Sequence, residues 1–311
     1  MRRYSTAAAT EAENVAKALT LLDLRCITIA GVGLLGGSVG LAVRAAGLKC
    51  RRIGYVRSSQ SARNAVGCDA VDEATQDAEQ AFAPADLVIL CTHLAVFPAY
   101  MKRARQHCQS GCLITDVGST KRGPQEWARE YLGRKVRFVG SHPMAGSERT
   151  GVEYARADLF AGATCFVCPA GGRKDAAAKL LKEFWEALGG RVTILSPAEH
   201  DRTVARVSHV PHLVAGGLIH LAGGDEMLNR AGPGLRDATR IASGNPLMWR
   251  DIVANNRDEI VAGLDEMQEI LATIRRLLAE GRDEEAGRWM ESAARMRNDW
   301  LQRILARGQA D

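Results

Sequence analysis

The sequence lacks several features that would point to particular classes of protein. Aromatic residues make up only 5% of the 311 residues, and the 41 basic and 36 acidic residues are interleaved along the chain. A nucleic-acid interface needs a basic stripe with stacking aromatics, so we exclude nucleic acid as a partner. No apolar run approaches the roughly 20 residues of a membrane span, and no secretory signal follows Arg2 and Arg3. We therefore predict a cytoplasmic protein without a membrane partner.

The eight cysteines lack a spacing that would indicate disulfides or a metal site. In a chain without a secretory signal they are interpreted as reduced and buried. Cys165 and Cys168 have CxxC spacing, but they fall in a strand-like stretch, where residues three apart point to opposite faces. No second pair stands at zinc-finger distance. We predict no metal.

Short apolar stretches alternate with helical stretches over roughly the first 195 residues. This alternation predicts an α/β domain with a doubly wound parallel sheet of the Rossmann type. The strand-like stretches are 26–30, 51–56, 85–92, 111–119, 136–142, 164–168 and 191–195.

The pattern changes at "SPAEHD", where Ser196 and Glu199 form a capping box and Pro197 suits the first helical position. Only helical patterns follow, with long amphipathic stretches at 247–280 and 283–307. These exceed what one chain's core needs, so a homodimer through the C-terminal helices is predicted. The predicted domains are an N-terminal extension (1–24), a dinucleotide-binding domain (25–196) and an all-helical substrate and dimerisation domain (197–311). The extension is interpreted as a frayed helix, and the alternative is an Ala-rich organelle transit segment.

A GxGxxG motif, formed by Gly31, Gly33 and Gly36, lies between a predicted strand and a predicted helix. In that context the glycines allow a tight turn and close approach of the backbone to a pyrophosphate, and the helix N-terminus offers free N–H groups. We predict that these glycines, with Leu34 and Leu35, bind a dinucleotide. The alternative is a merely tight turn.

Acidic residues are absent between Asp23 and Asp69, although the second predicted strand ends in that stretch. An acid at that position normally holds the ribose 2′-hydroxyl of NAD, whereas Arg57, Ser58 and Arg63 suit a 2′-phosphate. NADP is the predicted preferred cofactor. The alternative is that Arg57 is simply exposed and that NAD also binds.

Four motifs occur in order: "GVGLLGGSVG", "DVGSTK" (116–121), "GSHPMAGSERTG" (140–151), and "SHVPH" (208–212) with "LRDATRIASGNPLMWRDI" (235–252). In this order they resemble the prephenate/arogenate dehydrogenase family of tyrosine biosynthesis, over about residues 25 to 300. The resemblance implies oxidative decarboxylation of prephenate or arogenate, to 4-hydroxyphenylpyruvate or tyrosine, with hydride transfer to NAD(P)+. It does not decide between the two substrates.

The resemblance makes His142 the catalytic base and Ser119 the residue that orients both its imidazole and the substrate hydroxyl. Both residues follow predicted strands at their carboxyl ends, where open α/β sheets bind ligands. A histidine can accept a proton near neutrality. From the residues alone a histidine before a proline is more often structural, so that alternative stays open.

The resemblance also implies a set of substrate-binding residues. Arg240 would clamp a carboxylate with its planar guanidinium, Asp237 would orient that arginine or cap the helix, and Arg236 is the weaker anchor. The other candidates are His212 toward the substrate side chain, His209 more weakly, Ser147 and Glu148 as contacts or a gate, Lys121 as a source of positive potential, and Trp249 as a pocket wall or a core residue.

One departure from the family and two competing hypotheses remain. The loop of Thr92 and His93 is expected to touch the cofactor, and family members usually have a proline at the place of His93. A β-hydroxyacid-type dehydrogenase would need a helix-borne lysine in its second domain, but no lysine follows Lys182. A non-catalytic NADP-sensing module would not need Ser119, His142 and Arg240 together.

Overall fold

The computed structural model describes residues 20–147, 149–172 and 174–308. Most of the predicted N-terminal extension, including its helix, lies outside the described residues. The chain divides into two compact units between His200 and Asp201. Among the described residues, no helix is both long enough and apolar enough to cross a membrane.

The first unit is built on a six-stranded sheet. Its strands are β1 (Cys26–Ala30), β2 (Arg51–Tyr55), β3 (Glu73–Thr75), β4 (Leu87–Leu90), β5 (Leu113–Asp116) and β6 (Arg137–Phe138). The order is β3-β2-β1-β4-β5-β6 and all pairs are parallel. The winding reverses between β1 and β4, which is where such sheets bind ligands. The predicted Rossmann-type sheet is confirmed.

Helices cover both faces of this sheet. They are α1 (Leu34–Ala45), α2 (Ser59–Gly67), α3 (Ala78–Phe82), α4 (Phe97–His107) and α5 (Arg122–Tyr131). One buried core contains Val39 of α1 and Ile29 of β1, and the other contains Met101 of α4 and Val88 of β4. Because the sheet is buried on both faces, its strands carry uninterrupted apolar runs.

The predicted continuous strand over 136–142 was wrong, because the chain changes sheets within it. After β6, the strands β7 (Gly140–Pro143), β8 (Thr164–Cys168) and β9 (Arg191–Ile194) form a separate three-stranded sheet. β7 is antiparallel to β8, and β8 is parallel to β9. The change occurs where the Asp116 carboxylate accepts the backbone N–H of Ser141, at 3.1 Å, in place of a ladder bond.

The predicted capping box is present at the start of α7 (Pro197–Val204). Ser196 Oγ accepts the Glu199 N–H at 3.2 Å, and the Glu199 carboxylate accepts the Ser196 N–H at 2.9 Å. Before it, α6 (Ala176–Ala187) buries Trp185 in the core of the first unit. After it, a π-helical turn covers Ala205–His209.

Helices make up the second unit, and none of its described residues lies in a strand. These helices are α8 (Val210–Ala222), α9 (Asp225–Leu228), α10 (Pro233–Thr239), α11 (Pro246–Asn255), α12 (Arg257–Ala279) and α13 (Asp283–Gly308). The predicted helical second half is confirmed.

The stretch 247–280 is interrupted at Asn256, between α11 and α12. This residue has φ −133° and ψ 27°. Its buried Nδ2 donates to the carbonyl oxygen of Asp201 at 2.9 Å and lies 3.2 Å from Nδ1 of His209. Long-range partners therefore hold the break, which the local apolar pattern does not reveal.

Candidate active site

The turn between β1 and α1 carries the GxGxxG glycines. Gly31 has a φ of +97°, and a Cβ there would lie 2.5 Å from Cγ2 of Thr92. A Cβ on Gly36 would lie 2.0 Å from the carbonyl oxygen of Gly31. Packing alone therefore requires these two glycines. A Cβ on Gly33 would meet nothing within 4 Å, so Gly33 faces open space, as close approach of a pyrophosphate requires.

Gly33 is also the N-cap of α1, a helix of 12 residues that begins with Leu34 and Leu35. Its first turn contains no acidic residue, so the positive potential of the helix N-terminus is not offset there. The neighbouring loop contains Thr92, which lies next to Gly31. It also contains His93, whose side chain is exposed and makes no capping hydrogen bond. The residues present therefore fit the diphosphate of a dinucleotide.

The carboxyl end of β2 presents the residues predicted to select the cofactor. Arg57 is exposed and makes no ion pair within the described part of the chain. Ser58 caps α2, since its Oγ accepts the Ser61 N–H at 3.1 Å. Arg63 donates to the side-chain oxygen of Gln60 at 2.7 Å. Of the three predicted residues, Arg57 is thus the one whose polar group is not engaged locally.

A buried carboxylate organises the end of β5. The two oxygens of Asp116 accept the backbone N–H groups of Gly118, at 2.9 Å, and Ser141, at 3.1 Å. Burial raises the pKa of the Asp116 carboxyl, and Lys121 and the two N–H donors oppose that rise. One carboxylate therefore joins the backbone next to Ser119 to the backbone next to His142.

Lys121 has a different environment from the one predicted. Its side chain is fully buried and forms an ion pair with Asp116. A buried ammonium with a carboxylate partner adds no exposed positive potential. This burial and ion pair do not support the predicted role of Lys121 as a source of positive potential near the cofactor or substrate.

His142 lies within β7, in the second sheet. The prediction had placed it at the carboxyl end of a strand of the parallel sheet. Its Nδ1 is 2.9 Å from Nε2 of His200, on α7, and both side chains are buried. Phe166 packs edge-on against His200, with ring centroids 5.2 Å apart. One nitrogen of the His142–His200 bond must carry the proton and the other must accept it. Ser119 is half-buried in the turn after β5.

The segment after β7 contains two further candidates. Ser147 is exposed, and its Oγ accepts the Arg149 N–H at 3.2 Å. Glu148 lies outside the described residues.

In the second unit, His212 and Trp249 stack against each other. Their ring centroids are 4.3 Å apart, and Trp249 is half-buried. His212 Nδ1 lies 3.3 Å from the carbonyl oxygen of Ser208, which can only accept, so this nitrogen donates. Burial lowers the pKa of His212. Its neutral form therefore carries a lone pair on Nε2.

His209 is placed differently from His212. It is fully buried, and Asn256 Nδ2, a donor, lies 3.2 Å from its Nδ1. This contact assigns the acceptor role to Nδ1 and the proton to Nε2. This burial does not support the prediction, made more weakly than for His212, that His209 contacts the substrate.

Arg240 begins the 3-10 helix Arg240–Ser243, is exposed and makes no ion pair among the described residues. Asp237 accepts from Arg236 Nε at 3.3 Å, and both side chains are exposed. Asp237 thus pairs with Arg236 in this structure, and its predicted role, to orient Arg240 or to cap the helix, stays a prediction.

Two family models match the chain in succession. One, described as "Prephenate dehydrogenase, nucleotide-binding domain", matches residues 39–194. The other, described as "Prephenate dehydrogenase, dimerization domain", matches residues 196–292. The chain belongs to the prephenate dehydrogenase family. The family resemblance predicted from the four motifs is thereby confirmed.

Individual members of the prephenate dehydrogenase family align over most of the chain. Prephenate dehydrogenase of Bacillus subtilis is 34% identical over 273 residues, which cover 86% of this chain and 74% of that protein. The crystal structure of the Aquifex aeolicus enzyme with hydroxyphenyl propionate and NAD+ is 30% identical, with a TM-score of 0.82, and the match covers 91% and 99% of the two chains. Synechocystis arogenate dehydrogenase is 27% identical, with a TM-score of 0.78 and coverage of 88% and 99%.

Sequence reasoning missed three residues of this prephenate dehydrogenase family member: Asp116, His200 and Asn256. His200 directly follows Glu199 of the capping box. Its residue type and position do not distinguish a buried partner of His142 from a surface histidine. Asp116 is the first residue of the "DVGSTK" motif, from which only Ser119 and Lys121 were predicted as site residues. A polar residue directly after an apolar strand was the available signal.

Proposed function

We propose that the protein oxidises and decarboxylates prephenate, arogenate or both, forming 4-hydroxyphenylpyruvate or tyrosine in tyrosine biosynthesis. The observation that carries this proposal is the buried His142–His200 pair, linked through Asp116 to the turn of Ser119. That arrangement supplies an oriented base in a chain whose family consists of such dehydrogenases.

The proton has a defined route in this proposal. His142 Nε2 accepts the proton of the substrate's ring hydroxyl, and Ser119 orients that hydroxyl. When bound, NAD(P)+ supplies the acceptor for the hydride of the hydroxyl-bearing carbon. The bond to the ring carboxylate then breaks, its electron pair enters the ring, and CO2 leaves. The ring becomes aromatic and its oxygen, on regaining a proton, becomes a phenol.

His200 makes His142 a base by fixing its tautomer. A lone pair on His142 Nε2 requires the proton on Nδ1, which must then donate across 2.9 Å to His200 Nε2. When His142 takes up the substrate proton, the same bond becomes charge-assisted and stabilises the imidazolium. His200 is thus a positioning residue in the proposed reaction.

The proposed preferred cofactor is NADP, with NAD as a possible alternative. Support comes from Arg57, which is exposed and has no carboxylate partner among the described residues, and from the absence of acids between Asp23 and Asp69 in the sequence. The pyrophosphate would be held by the backbone at Gly33 and by the first turn of α1. The Aquifex relative was crystallised with NAD+, so the preference requires its own test.

Five further residues are proposed to contact the substrate. Arg240 is proposed to bind a substrate carboxylate, since its guanidinium is exposed and not neutralised within the described chain. His212 is proposed to contact the substrate side chain, with Trp249 stacked behind it. Ser147 and Glu148 keep their proposed role as contacts or a gate.

We also propose a homodimer through the C-terminal helices and a cytoplasmic location. The dimerization-domain match supports the first, as do large apolar side chains left exposed on α12 and α13: Leu271, Leu278, Met290, Met296 and Trp300. All eight cysteines lie in the described chain and none of them forms a disulfide there, as the proposed reducing compartment requires.

The test is reduced-cofactor formation by the purified protein with prephenate and arogenate, each against NADP and NAD. Activity with at least one substrate, abolished in His142→Asn, is expected. If well-folded protein turns over none of the four combinations, the dehydrogenase proposal is wrong. In that case titration with NADP decides whether the protein is a non-catalytic sensor.

A further inference from the structure

The arginines at the two ends of β2 differ in their ion pairing. At its start, Arg51 pairs with Glu73, and Arg52 pairs with Asp72 at 2.5 Å. Just beyond its end, Arg57 has no carboxylate partner in the described chain. The arginine charges are therefore paired at the start of β2, away from the nucleotide-binding turn, and a positive charge is left unpaired at its end, beside that turn.

A second guanidinium, from α4, reaches this cationic end. Arg103 Nη1 donates to the hydroxyl oxygen of Tyr55, the last residue of β2, at 2.7 Å. Its guanidinium carbon lies 5.6 Å from the ring centre of Tyr55 and 5.5 Å from that of Tyr100. Arg103 is exposed, and its polar partner there is neutral. The aromatic rings fix its position without cancelling its charge.

The Tyr100 side chain is close enough to both arginines to be influenced by their charges. Its ring lies edge-on to Tyr55, with centroids 5.4 Å apart. Burial raises the pKa of Tyr100, and the charges of Arg103 and Arg57 oppose that rise. Both guanidinium groups thus act on one phenol at the carboxyl end of β2.

We propose that Arg57 and Arg103, with the Tyr55–Tyr100 aromatic pair as their support, form a subsite for the 2′-phosphate of an adenosine nucleotide. The end of β2 is where a Rossmann-type sheet receives the adenosine ribose. A phosphate dianion there gains two fork-shaped donors, whereas the 2′-hydroxyl of NAD gains little from two cations. This inference rests on the proposed NADP preference and adds Arg103 as a residue that determines it.

The test uses direct binding, which does not depend on turnover. Calorimetric titrations of the full chain with 2′,5′-ADP, 5′-AMP, NADP and NAD are compared for wild type, Arg57→Gln and Arg103→Gln. Loss of one charge-assisted contact is expected to weaken 2′,5′-ADP and NADP roughly tenfold or more in each variant. Binding of 5′-AMP and NAD should stay within about twofold, because those ligands lack the 2′-phosphate.

Arg105→Gln is the matched control. Arg105 is an exposed arginine on the same helix, and it lines a different groove with Lys102 and Tyr131. It should leave all four affinities unchanged. Arg103→Lys, which keeps the charge but loses the planar fork, should fall between wild type and Arg103→Gln. Thermal unfolding of every variant shows whether loss of the bond to Tyr55 has disturbed the fold.

Each contrary result has a distinct meaning. If Arg103→Gln weakens NADP and NAD equally, or neither, the role of Arg103 is refuted, whatever Arg57→Gln does. If wild type binds 2′,5′-ADP no better than 5′-AMP, the whole subsite is refuted. Failure of catalysis with intact 2′-phosphate discrimination would reject the proposed reaction and leave the subsite standing.

Discussion

Replacing His200 with leucine is expected to impair catalysis far more than substrate binding. The imidazolium formed on His142 would lose its acceptor 2.9 Å away. A hydrogen bond to a charged group contributes about 1.5–3 kcal/mol. Each 1.36 kcal/mol is about tenfold in rate, so kcat should fall roughly 10- to 100-fold. The neutral imidazole of the ground state also loses its tautomer restraint, so we expect a fall near the larger value.

His200→Gln separates this role from simple packing. A glutamine amide oxygen can occupy the place of Nε2 and accept the proton of His142 Nδ1, so kcat should recover to within about tenfold of wild type. KM and cofactor affinity should change little in either variant, because His200 touches His142 and not a ligand in the proposed mechanism. Steady-state kinetics with the preferred substrate measure both parameters.

The control is His220→Gln, at an exposed histidine on α8. It should behave as wild type. The reasoning is refuted if His200→Leu keeps its kcat, or if His200→Gln is as impaired as His200→Leu while both unfold at the wild-type temperature.

Asp116→Asn should cost about 3–5 kcal/mol in urea unfolding, because it removes the carboxylate that pairs with the buried Lys121 ammonium, and adding Lys121→Met should restore much of it. A wild-type midpoint for the single variant would contradict this. Gly33→Ala should keep the wild-type unfolding temperature but weaken NADP binding roughly tenfold or more by blocking backbone approach, whereas Gly36→Ala should destabilise the fold through its clash. Equal effects of the two alanines would argue against the assignment. The pKa of His212 is lowered by burial from 6.5, so the unfolded chain binds its proton first as the pH falls. Its contribution to stability is present above pH 6.5 and is lost as the pH falls below that value, so His212→Asn should flatten the decline in unfolding free energy below pH 6.5.

Two predicted site residues lie in surroundings that the sequence did not indicate. The family resemblance implied ligand roles for Lys121 and His209, and the structure buries both against other protein groups. A buried polar group must be satisfied by the protein itself. Its role therefore depends on packing, which residue type does not report.

The sequence by itself determined the features that arise from local periodicity and turn chemistry. These include the GxGxxG turn after β1, the alternation that yields the parallel sheet, the capping box at Ser196 and the helical second half. Each depends on residues within a few positions of one another, so the pattern is legible without the fold. The ordered motifs also sufficed to identify the family.

Tertiary structure alone decided which polar groups meet. His142 and His200 are 58 positions apart, and Asp116 reaches Ser141 across 25 positions. The transfer of the chain from β6 to a second sheet and the break at Asn256 depend on the same kind of contact. Such bonds form only when packing brings distant segments together and removes water from them, so their energy has no local signature in the sequence.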